Sequence, residues 1–184
     1  MDIYTLLIIT HLFGVALGVG GAFVSDLMFF KSVRDQKISG TEIEFLKLGS
    51  IAVWAGLALL VVSGTGLFLL DTEQYIASSK FLAKMTIVAV IIINGIVFHT
   101  IHIPRIMRHM DHHFPSSDEF MRKRSFLIMS GAVSATSWPC ALILGALRDV
   151  SYSYTTIMII YITLLLTATV SALILKDYIV PTNR

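Results

Sequence analysis

Five apolar runs, each near the roughly 20 residues that a helix needs to cross a bilayer, take up most of the chain. They cover residues 3–30, 49–70, 81–103, 126–147 and 154–175. Their length and spacing predict an all-α membrane protein, a bundle of five transmembrane helices forming a single integral membrane domain over residues 1–184. Composition agrees: 14% of residues are charged and 55% hydrophobic, whereas a soluble domain carries about 25% charged residues. The mean hydropathy is +0.79. A net charge of +2 gives no argument for nucleic-acid binding. The single cysteine, Cys140, excludes an internal disulfide and a multi-cysteine metal or iron–sulfur site. Met1 and Asp2 lead directly into the first run without a basic segment, so that run is expected to be retained rather than cleaved.

Charge placement predicts the orientation. Lys31, Arg34, Lys37 and Lys47 lie between the first two runs, and Arg105, Arg108, Arg122, Lys123 and Arg124 between the third and fourth. Lys176 and Arg184 follow the fifth, leaving only Lys80, Lys84 and Arg148 on the other side. Basic loops are cytoplasmic ones, so the N-terminus is expected outside and the C-terminus in the cytoplasm of a cell inner membrane. Both basic loops contain a helix-start pattern, Thr41-x-x-Glu44 and Ser116-x-x-Glu119. Spans two and four should therefore begin before the lipid. The stretches 39–71 and 116–149 share a length and layout that fits two parallel hairpins with a fifth span added.

Ionisable groups are costly in lipid and normally face the bundle interior, which makes each a functional candidate. The chain has five: His11, Asp26, Lys84, His99 and His102. Lys84 can snorkel to the outer interface or serve a site. Asp26 can pair with Lys31 or sit at the headgroups. Counted from Asp2, His11 lies roughly 13 Å deep. There it can bond a hydroxyl of Ser63, Thr65, Thr136 or Ser137, or act as a ligand or proton carrier. His99 and His102 fall at i, i+3 on one face of the third span, with His99 the deeper and the stronger ligand candidate. Beyond the membrane, IMRHMDHHFP sets His109, His112 and His113 beside Met107 and Met110. Imidazole with thioether suits copper, and imidazole alone suits zinc or nickel. A solvated basic loop is the competing reading.

Gly14, Gly18 and Gly21 form a small-residue stripe that admits either a neighbouring helix or a flat cofactor. Trp138-Pro139 should kink the fourth span and open a cavity near the depth of His11. Tyr4, Tyr75, Tyr152 and Tyr154 fit an aromatic belt.

The first span reads THLFGVALGVGGAFVSDLMFF, the second contains VVSGTGLFLL, and the third opens with KFLAKMTIVAV and ends in VFHTIHIPR. This order resembles a group of small bacterial membrane proteins that includes the copper-resistance D family and the haem-binding, menaquinone-linked protoporphyrinogen oxidase family. The resemblance covers residues 8–108. By position, His11 matches the first-helix histidine of that group, Lys84 the third-helix lysine, and His99 the later histidine of the same helix. Ser25-Asp26-Leu27-Met28 stands where the oxidase carries aromatics and an arginine.

The resemblance implies a b-type haem protein acting in electron transfer, with a possible quinone partner. Its haem would have His11 and His99 as iron ligands, the Gly14/Gly18/Gly21 face as a slot, and Lys84 or Arg105 for the propionates. The alternatives are a copper or other metal-ion permease, using all six histidines, and an accessory subunit of a membrane complex or homo-oligomer. The resemblance leaves open whether the chain is an enzyme.

Overall fold

The structure, a computed structural model, describes residues 1–34, 39–108, 118–147 and 151–179. Every element among them is helical: α1 (Ile3–Arg34), α2 (Gly40–Leu70), α3 (Thr72–Ala77), α4 (Ser79–Val97), a π-helical turn (Phe98–His102), α5 (Ile103–Arg108), α6 (Asp118–Ala146), α7 (Tyr154–Ile174) and α8 (Lys176–Ile179). Five stretches are long and apolar enough to cross a membrane: Ile3–Lys31, Gly40–Leu70, Ser79–Met107, Arg122–Ala146 and Tyr154–Ile174. This is the architecture of a multipass membrane protein, as the apolar runs predict.

Helix α2 starts earlier than its apolar run, as expected, but its cap is not Thr41. Ser39-Gly40-Thr41-Glu42 repeats the same S/T-x-x-E pattern two residues upstream, and this is the one that closes. Ser39 Oγ accepts from the Glu42 amide at 3.3 Å while the Ser39 amide donates to Glu42 Oε2 at 2.9 Å. The earlier start places Ile43 and Leu46 in helix, where they are buried with Phe29, Ile106, Leu127 and Ile128. Ser116 lies outside the described residues.

In lipid, apolar side chains gain little by leaving the solvent, so close packing and interhelical hydrogen bonds hold the helices together. Helices α1 and α2 run side by side on glycines. A Cβ at Gly14 would sit 3.0 Å from the Gly56 carbonyl, one at Gly21 would press on Ala52 and Gly49, and one at Gly56 would collide with the Gly18 and Gly14 backbones. The small-residue stripe is thus filled by α2, with Trp138 of α6 covering Gly18.

Polar clamps join the other helices. Asn94 of α4 and Ser130 of α6 exchange two bonds, at 3.1 and 2.8 Å. Ser137 of α6 meets the Tyr161 hydroxyl of α7 at 2.8 Å. Buried Arg124 of α6 holds Asp177 of α8 at 2.6 Å. Helix α6 is the most enclosed of the five spans, and its interior Pro139 sits beside Trp138 in the central core.

Candidate functional site

His11, on α1, bonds through Nδ1 to Ser63 Oγ of α2 at 3.0 Å. Ser63 is completely buried, and its hydroxyl hydrogen is already directed at the Leu59 carbonyl, 2.5 Å away. A serine that spends its proton on its own helix can only accept from a neighbour. Nδ1 of His11 therefore carries the hydrogen, and Nε2 carries the lone pair. This is how a ligating histidine is commonly oriented, with one ring nitrogen held by a protein acceptor and the other free to coordinate or take a proton.

The His11 ring lines a cavity of 540 Å³ at the end of the bundle bearing the N-terminus. Small-molecule and cofactor sites span about 300–1,000 Å³. Trp138 is part of the wall, so the cavity expected beside the Trp138-Pro139 step lies where the sequence placed it. The walls are largely apolar. At one side Phe68 of α2 stacks on Phe81 of α4 with centroids 5.6 Å apart, and Tyr75 of α3 packs on Phe81 at 5.1 Å. Burial, followed by the nearby Tyr4 and Asp71, raises the Tyr75 phenol above its ordinary pKa, so it is a neutral hydrogen-bond donor at physiological pH.

Two cations reach the cavity, and they differ. Lys80 donates to the Leu147 carbonyl at 2.6 Å, near the C-terminal end of α6. Lys84, one turn further along α4, has no hydrogen bond or ion pair among the described residues. Its Nζ lies against Gly145, where a Cβ would be 3.3 Å away. A half-buried ammonium with no anionic partner among the described residues, facing an imidazole with a free lone pair across an apolar space, calls for a ligand with a Lewis-acidic or proton-donating centre and an anionic group.

The other expected site residues are elsewhere. Gly14, Gly18 and Gly21 do not line the cavity, because helix packing occupies them. His99 bonds through Nδ1 to Ser50 Oγ of α2 at 3.1 Å and lies exposed on the side of the bundle. Ser50 and Ser63 are 13 residues apart on α2, a rise of about 20 Å. Axial ligands of one iron must lie within a few ångströms of each other. His11 and His99 therefore cannot share a haem, and the paired ligation expected from the sequence is corrected.

The expected common face for His99 and His102 is also corrected. Both fall in the π-helical turn, whose wider loop advances each residue through a smaller angle and swings i, i+3 pairs apart. His99 is turned out, while His102 is 3% exposed and packs between Phe98 and Phe126. Its Nε2 has no partner among the described residues. Arg105 belongs to this far end and not to the cavity. Asp26 lines a second, polar cavity together with Ser134 of α6. His109, His112 and His113 lie outside the described residues, and among those described no three His, Cys, Asp or Glu side chains gather as a metal group.

Sequence reading missed the aromatic wall and Gly145. Phe68, Tyr75 and Phe81 come from three helices, and no periodicity within one helix links them. Comparison of the chain with protein-family models, with curated proteins and with solved structures finds no match.

Proposed function

We propose that the chain is an inner-membrane electron-transfer protein that holds one b-type haem in the His11 cavity. The observation that carries this reading is the meeting of His11 and Lys84, 73 residues apart in sequence, in one apolar space. The donor set fits the group. Nε2 of His11 would supply a nitrogen ligand, Lys84 would be a cation for carboxylates in a medium that does not screen it, and Phe68, Phe81 and Trp138 offer flat apolar surface. When bound, such a group supplies reversible one-electron transfer. The protein holds it by one imidazole, balances its carboxylates, and excludes water with its aromatic wall.

The basic loops orient this site toward the outer face of the membrane, with the C-terminus in the cytoplasm. Metal permeation has weaker support, since the described residues form no ladder of ligands through the bundle.

The test is a reduced-minus-oxidised absorption spectrum of protein purified from haem-replete cells, with dithionite as reductant. A Soret and α-band change equivalent to one haem per chain is expected. A colourless preparation that binds stoichiometric Cu(I) overturns the proposal. Within the same assay, Lys84→Ala is expected to weaken haem retention roughly 10–100-fold, the worth of a charge-assisted bond of about 1.5–3 kcal/mol. Lys84→Arg should retain most of it. Equal retention by both variants would show that the cation is not engaged.

A further inference from the structure

A second cavity, of 60 Å³, lies deeper in the bundle between α1, α2, α4 and α6, walled from the first by Ile91 and Trp138, which line both. Its polar lining consists of Ser25 and Asp26, Ser50, Asn94, Ser130 and Ser134, and the remaining lining is apolar or aromatic. Asp26 is the only ionisable side chain there among the described residues, and it has no cationic partner among them. Six polar residues converging on one small space inside a membrane bundle exceed what helix packing requires.

Part of this polarity is engaged: Asn94 and Ser130 hold each other, and Ser50 is bonded to His99. Ser25 is not. It is only 8% exposed, and its Oγ meets no donor or acceptor among the described residues. A side chain at position 49 would collide with that hydroxyl, so Gly49 preserves its place. Dry burial of a hydroxyl is unfavourable, and a polar cavity with several partners is where internal water is found. One water needs at least about 10–15 Å³ of such space, so 60 Å³ accepts roughly four.

We propose that this cavity is a hydrated proton site, in which a small water cluster held by Ser25, Ser50 and Ser134 exchanges a proton with Asp26. In loading, an O–H bond of a hydronium in the cluster breaks and leaves water, while an O–H bond forms on an Asp26 carboxylate oxygen. Unloading reverses both changes. Among the described residues, no charged group from α2, α4 or α6 lines the space to compete for the proton. Ser50, which lines the cavity, also bonds to His99, whose side chain is exposed on the bundle surface. This assignment is independent of whether the first cavity holds haem.

The test is infrared difference spectroscopy of the full-length protein in lipid nanodiscs, between acid and alkaline buffer, in H2O and D2O. A protonated-carboxyl stretch that shifts in D2O is expected, and Asp26→Asn should remove it while the signals of the other acidic side chains, 12 in all with Asp26, persist. Asp26→Glu, which keeps the acid, should move the band rather than abolish it, and serves if Asp26→Asn does not fold. Ser25→Val, which fills the cavity, should shift the band by drying the carboxyl. A native protein with no such titrating band, or a band unchanged in both Asp26 variants, overturns the proposal. So does a band displaced by sodium at constant pH, which would identify a cation site instead.

Discussion

Purified His11→Ala is expected to be colourless, with the Soret and α bands lost, while its size-exclusion profile and helical circular dichroism match the native protein. The loss follows from the ligand count: one imidazole lines the cavity, and His99 is about 20 Å away along α2 and cannot substitute. Folding should survive, because removing the ring enlarges an existing space, and interhelical bonds of this kind average only about 0.6 kcal/mol in a membrane. Ser63 remains satisfied through the Leu59 carbonyl. Imidazole added to the buffer should restore part of the spectrum.

Ser63→Ala gives the graded counterpart. It leaves the ligand but removes the acceptor that fixes the Nδ1–H tautomer, and loss of such a supporting bond typically weakens a metal centre about 10–100-fold. His99→Ala should keep the bands. The opposite pattern, with the spectrum surviving His11→Ala and lost in His99→Ala, would place the site at the wrong end of the bundle.

The second large effect is on assembly. Gly56→Val is expected to destabilise the bundle by about 1–3 kcal/mol or more, the cost of overpacking a close contact. A Cβ at position 56 meets the Gly18 amide and the Gly14 carbonyl, both backbone, so no rotamer change can relieve it and α1 must move away from α2. Since His11 and Ser63 belong to these two helices, the same shift should loosen the cavity, and haem retention should fall along with thermal stability. Gly20→Val is the control. A Cβ there meets nothing within 4 Å, so stability should change by less than about 0.5 kcal/mol in a thermal unfolding series monitored by circular dichroism. Similar losses in the two variants would show that the α1–α2 glycine contact does not govern assembly.

The contrast between these glycines shows where sequence reading stops. Gly14, Gly18 and Gly21 recur at helical spacing, and that pattern admits a helix or a flat cofactor equally well. What fills the stripe depends on Gly49 and Gly56 of another helix, and on the Trp138 ring of a third. The histidines behave in the same way. Spacing put His99 and His102 on one helix face, and the π-helical turn separated them, one to the surface and one to the core. The start of α2 was legible to within two residues: two overlapping capping patterns compete, and the Ser39–Glu42 pair is the one that closes.

The chain by itself determined the number of spans, their approximate ends, the polar residues stranded in lipid, and the short list of groups that needed a reason to be there. These depend on transfer of each residue between water and hydrocarbon, which is additive along the chain. Only the tertiary arrangement decided that His11 faces Lys84 across a cavity, that His99 does not, and that Asp26 lies among polar residues of three other helices. Those outcomes depend on how helices rotate against one another, and that is set by contacts between residues far apart in sequence.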